Sequence, residues 1–170
     1  MPDTTDRLRE AFLVLFRETF QGKAGDGSWF VESHENGGLI ANLRRVTADQ
    51  ASRPSAGGGP SIAAHAAHVR WFLNLAARLS GANAQDINWS APENQWKFSW
   101  PVSTVDDAQW QGLIAGIERE AQAVEAGFTR PMLDSLPGLD ETCGVLTVLP
   151  HAAYHLGAIR ALIRTVLAQP

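Results

Sequence analysis

Cysteine is nearly absent from this chain of 170 residues. Cys143 is the only one, so no internal disulfide can form and nothing points to an oxidising compartment. Basic residues are also scarce: 14 Lys and Arg face 18 Asp and Glu, leaving a formal charge of −4 and a pI near 5.7. A protein that holds nucleic acid electrostatically needs a basic stripe to displace phosphate counterions. Arg44 and Arg45 are the only adjacent basic pair, and a pair that small reads as a solvated helix end. No apolar run approaches the length of a membrane span. The opening residues lack the basic-then-apolar design of a signal peptide. The expectation is a soluble cytoplasmic protein with neither a nucleic-acid nor a membrane partner.

Familiar catalytic motifs are missing as well. Residues 151 to 155 read His-Ala-Ala-Tyr-His, without the glutamate that follows the first histidine of zinc peptidases and serves as their base. No segment shows the Glu and Glu-x-x-His sets of di-iron bundles. The run Gly57-Gly58-Gly59 lacks the Lys-Ser/Thr that completes a phosphate loop, so it reads as a flexible linker. No nucleophile elbow occurs.

Helical periodicity is abundant. Leu8, Phe12, Leu15, Phe16 and Phe20 recur at three- and four-residue steps until Gly22 and Gly25 interrupt them. A second helix follows Pro60 and Ser61, with Ile62, Val69, Phe72, Leu73, Ala76 and Leu79 on one side and Gly81 at its close. A third opens with Thr104 as N-cap, has Asp106 and Asp107 at the positive end of its dipole, and runs through Trp110, Leu113, Ile114, Ile117, Ala121 and Val124 to Gly127. The fourth spans about Thr142 to Leu167, with Val148, Ala158, Ile159, Leu162 and Val166 sharing a side. Pro150 inside it either kinks the helix or marks where a short preceding turn hands over.

The connections are long. A short helix is expected between Gly38 and Ala48, around Asn42. The stretch from Asn83 to Pro101 carries Trp89, Trp96, Phe98 and Trp100, and four aromatics argue against disorder. The whole, residues 1–170, reads as one all-α domain: a four-helix bundle with at least one long connection.

Four of the five histidines fall on two of these helices. His151 and His155 are one turn apart, separated by about 40° around the axis and roughly 6 Å along it, the spacing at which two imidazoles reach one metal ion. Both lie within the apolar stripe of the fourth helix. An imidazole there is costly unless its nitrogens find partners, and a metal ion is one. His65 and His68 flank the stripe of the second helix, His65 nearer its middle. Either one completes a set of three imidazoles with an open fourth position. The other is left as a group behind the ligands, a substrate contact or a core residue. Zinc or nickel suits such a set, and iron or manganese also fits. His34, in a glycine-rich loop, reads as exposed. Tyr154 and Arg160 lie off the histidine side, with Arg160 on a solvated face.

Two segments, Ser61-Ile-Ala-Ala-His-Ala-Ala-His-Val-Arg-Trp-Phe-Leu-Asn and Leu149-Pro-His-Ala-Ala-Tyr-His-Leu-Gly-Ala-Ile-Arg160, resemble the DinB-like (DinB/YfiT) superfamily of metal-binding four-helix bundles. The resemblance spans essentially the whole chain, in helix order and in the long connection after the second helix. It implies a divalent metal held by one histidine of the second helix and the H-x-x-x-H pair of the fourth. On this sequence those are His68, which precedes the aliphatic Val69, with His151 and His155.

Characterised members include transferases and isomerases that use bacillithiol, mycothiol or glutathione, and many form dimers. The resemblance therefore implies a metal-dependent transferase or hydrolase acting on a small molecule, with a low-molecular-weight thiol as candidate partner and a homodimer as candidate assembly. The alternative is a non-catalytic, metal-stabilised bundle serving association or a stress response. No catalytic side chain is assigned. The segment from Trp89 to Trp100 either walls a pocket or caps the core, the latter being the simpler expectation.

Overall fold

Side chains that accept a hydrogen bond stand at the starts of α-helices beginning at Thr4, Ala48, Ile62, Asp107 and Arg130, and they favour the chain turning helical there. The computed structural model describes residues 3–23, 27–31, 37–55, 57–80, 87–100, 102–136 and 138–168. Among these the chain is all-α, without a strand. Four long helices carry the core: α1 (Thr4–Gln21), α4 (Ile62–Leu79), α5 (Asp107–Gly127) and α8 (Val148–Leu167). Short helices lie between them: α2 (Leu39–Leu43), α3 (Ala48–Ser52), α6 (Arg130–Asp134) and α7 (Leu139–Leu146). Two 3-10 turns, Pro92–Asn94 and Trp96–Phe98, lie between α4 and α5.

Asp3 caps α1 by accepting from the Asp6 amide at 3.0 Å. Ser61 caps α4, accepting from Ala64 at 3.1 Å. For α5 the cap is Asp106 and not Thr104. Its carboxylate accepts from the Gln109 amide while the Gln109 side chain accepts from the Asp106 amide, a reciprocal pair that Thr104 has no partner to build. The second alternative for Pro150 holds. α7 hands over to α8 at Thr147, and Pro150 occupies the third position of the new helix, where no amide partner is lost. The first bond of the new ladder is His151 N to Thr147 O at 3.0 Å.

The core holds Phe12, Phe16 and Phe20 as expected, but Leu8 is 66% exposed. Leu13 takes a core place instead. On α8 the buried side is Val148, Ala152, His155, Leu156, Ile159, Ile163 and Val166. Ala158 and Leu162 are only half-buried, so the helix is rotated slightly from the expected stripe. The short helix expected around Asn42 is α2, which starts just after Gly38 and ends at Leu43; α3 follows from Ala48, where Gln50 completes a capping box on Thr47. Gly22 ends α1 with φ of 93°, in the region that favours glycine. Its backbone meets that of Gly38 so closely that a Cβ on Gly38 would lie 2.3 Å from the Gly22 nitrogen. Gly25 and Gly81 lie outside the described residues.

Direction follows from which residues meet. The Arg70 guanidinium lies over Gly116, Asn74 Nδ2 donates to Glu120 at 3.3 Å, and Ser80 packs on Gly127. Numbers rise together, so α4 and α5 run the same way. The chain must therefore return the full length of α4 before α5 can begin. It does so along α4 itself: Arg78 bonds Asn94, His68 meets Ser99, and Ser61 bonds Ser103. α1 opposes α5, with Arg17 on Glu125 and Arg9 donating to the Phe128 carbonyl at 2.8 Å.

The turn at Gly57 and Gly58 has φ near 80° at both glycines, with Ser55 bonded to Gly58 and Gly59. Arg44 and Arg45 are exposed, as expected of a helix end.

Candidate metal centre

Small residues make room for large rings at the start of α4. Ala63, Ala64, Ala66 and Ala67 are all buried, so neighbouring elements approach the backbone closely and His65 and His68 enter the interior. His65 is the fourth residue of α4 and His151 the fourth of α8. Each donates its backbone N–H to the cap residue's carbonyl, Ser61 and Thr147, at 3.1 and 3.0 Å. Both helices thus present their first imidazole at the same point of the first turn.

Across the site α4 and α8 run in opposite directions. His65 Nδ1 is 2.9 Å from His155 Nδ1, and His68 Nε2 is 3.0 Å from His151 Nε2. Phe72 then stacks on His151 with centroids 4.1 Å apart. Ring nitrogens of His68, His151 and His155 lie within 4.8 Å of one another. The sequence-derived trio is therefore brought together. His68 is fully buried and His65 is 8% exposed, the reverse of their expected order of depth.

The hydrogen bonds assign one ring. A carbonyl oxygen only accepts, so His68 Nδ1, 3.2 Å from Ser99 O, carries the proton and donates. His68 Nε2 then holds a lone pair aimed at His151 Nε2. Two imidazole nitrogens sharing a tetrahedral zinc at about 2.0–2.1 Å stand about 3.3 Å apart, close to the separation seen here. Burial pushes all four rings below the ordinary histidine value. His151 falls to about 4, helped by the nearby His68, and His155 to about 3, helped by His151, His68 and His65. His65 is lowered by burial and by His68. His68 is lowered by burial, against a pull upward from Ser99 O. Neutral imidazole is the form that ligates.

The returning segment covers this cluster. Trp100 stacks on His68 at 4.1 Å with planes 9° apart, Trp96 meets the same ring edge-on at 4.7 Å, and Trp71 of α4 stacks on it at 5.9 Å. Of the segment's aromatics, Trp96 and Trp100 lie against the histidines, while Trp89, Trp96 and Phe98 stay exposed. Trp71 also borders a cleft of about 330 Å³ that includes Arg70, Asn74, Arg78, Glu93 and Glu120.

Sequence reading missed Ser99, whose contribution is a backbone carbonyl and carries no residue-type signal. It also missed Glu18, a buried carboxylate that accepts from Ser28 Oγ and the amides of Trp29, Phe30 and Val31. Arg160 is half-buried and donates to Val31 O at 3.2 Å, so its side of α8 is partly covered. Tyr154 is exposed, off the histidine side. His34 lies outside the described residues.

No family model, curated protein or solved structure matches the chain.

Proposed function

We propose that the four long helices form a DinB-like four-helix bundle, and that His68, His151 and His155 hold one divalent metal ion, zinc or nickel, for transferase or hydrolase chemistry on a small molecule. The observation that carries this is the lone pair of His68 Nε2, fixed by the bond from Nδ1 to Ser99 O and pointing at His151 Nε2. An all-nitrogen donor set without carboxylate or thiolate suits zinc, nickel or copper better than magnesium or calcium.

The residues divide the work. Three neutral rings from two helices supply ligands, and the core around them fixes their spacing. Trp100 and Trp96 exclude water from one side of His68 and offer an aromatic wall to a substrate. A bound divalent ion would supply Lewis acidity, lowering the pKa of a thiol or water beside it. A low-molecular-weight thiol paired with an electrophile is the leading substrate class, and a homodimer is the assembly the resemblance implies.

A second reading has one observation in its favour. The proximity of His65 to His155 offers a fourth protein nitrogen, and a closed shell would make the ion structural, in a bundle serving association.

Elemental analysis of protein purified without chelator tests the first step, with one zinc or nickel per chain expected. His155→Ala should lower metal affinity at least a hundredfold with helix content nearly intact. Unchanged stoichiometry in that variant removes the site. Loaded protein should then consume bacillithiol, mycothiol or glutathione with an electrophile, and inertness toward all three favours the structural reading.

A further inference from the structure

We infer that His65 is a positioning residue outside the metal shell, which accepts a hydrogen bond from His155 Nδ1–H and so turns His155 Nε2 toward the centre shared with His68 and His151. This rests on the metal reading above.

Two ring nitrogens 2.9 Å apart make a hydrogen bond with one donor and one acceptor. The two nitrogens of an imidazole diverge, and an Nδ1 engaged with His65 leaves Nε2 as the nitrogen of His155 free for a common centre. If His155 is to offer a lone pair from Nε2, its proton stands on Nδ1, and His65 Nδ1 must accept it. His68 is built on the same plan: Nδ1 donates, there to Ser99 O, and Nε2 is freed. Two of the three ligands would thus be held by their far nitrogens, the arrangement that fixes tautomer and ring direction in histidine metal sites.

His65 is suited to that place and not to the shell. Its ring meets His155 and Trp100, at 5.2 and 5.3 Å between centroids. Among the described residues the nitrogens that converge are those of His68, His151 and His155, without His65. The edge-on contact with Trp100 and burial in the first turn of α4 hold the His65 ring in one orientation.

The test combines tautomer and affinity. Nitrogen-15 correlation spectra of the imidazoles at pH 7.5, with and without zinc, should show His155 as the Nδ1–H tautomer and His65 as Nε2–H. His65→Ala should weaken zinc binding by about 10- to 100-fold. His65→Gln, whose amide oxygen can accept the same proton, should stay within about threefold of the parent. The visible spectrum of the cobalt form should keep its band positions in both variants.

Loss of an imidazole from the cobalt spectrum in His65→Ala would make His65 a ligand and overturn the inference. So would an alanine variant that binds zinc as tightly as the parent, or a glutamine variant no better than alanine. If the parent takes up no metal at all, the metal reading fails by itself. The tautomers still decide the hydrogen bond: His65 found as the donor overturns it, and His155 as the donor supports it. That readout needs no variant to fold.

Discussion

Burial keeps four imidazoles uncharged within a few ångströms of one another, and this has a consequence for acid stability. The unfolded chain binds protons at the ordinary value of 6.5, whereas folded His151 and His155 refuse them until about 4 and about 3. Between those limits the unfolded state holds more protons, so stability falls as pH falls. Metal-free protein should lose melting temperature steadily from pH 6.5 to 5, less steeply in a His155→Leu variant. An equal slope in both would show that His155 does not set it. Glu18 acts in the same direction only below its ordinary 4.5. There burial pushes the carboxyl up, but the Ser28 hydroxyl and the amides of Phe30, Val31 and Trp29 outweigh it and leave it lowered. Trp100→Ala should cost about tenfold in metal affinity by freeing the His68 ring, measured by competition with a chromophoric chelator. Much of the trio was legible, because a one-turn spacing within an apolar stripe admits few readings. The ranking of His65 against His68 was not. A helical wheel contains no neighbour, and which ring lies deeper depends on how α8 crosses α4.

At the scale of elements, ends were less legible than middles. Thr104 and Asp106 are both good caps by type, and only Gln109, three residues after Asp106, distinguishes them. The helices α2, α3 and α6 have five residues each, too few for a period to show. Two junctions carry definite expectations. Gly38→Ala forces a Cβ onto the Gly22 backbone and should destabilise by about 2–3 kcal/mol, read by urea denaturation. A change below about 0.5 kcal/mol would mean the two glycines separate freely. Pro150→Ala, by contrast, should change stability by less than about 1 kcal/mol, because the first turn loses no hydrogen bond either way.

Across the whole molecule, parallel α4 and α5 oblige the chain between them to travel back along α4, as Asn94, Ser99 and Ser103 do, and the histidines lie on that route. The long connection was visible in the sequence as a gap between periodic stretches, but its path was not, since nothing local states the relative direction of two helices. Insertions should separate its role from that of an ordinary loop. Four Gly/Ser residues between Gly57 and Gly58, where a Cβ would meet nothing within 4 Å, should leave metal affinity within twofold. The same insertion between Trp96 and Lys97 should reduce it at least tenfold, as titration would report. Equal tolerance at both places would mean that the connection only spans.

The pairing of α4 with α8 also bears on when the cluster can assemble. His65 and His155 are 90 residues apart, and His68 and His151 are 83 apart, so their closure loses chain entropy before any contact repays it. Where that closure follows the rate-limiting barrier, the rings are absent from it. A bound ion would then leave the refolding rate unchanged and act almost entirely as a brake on unfolding.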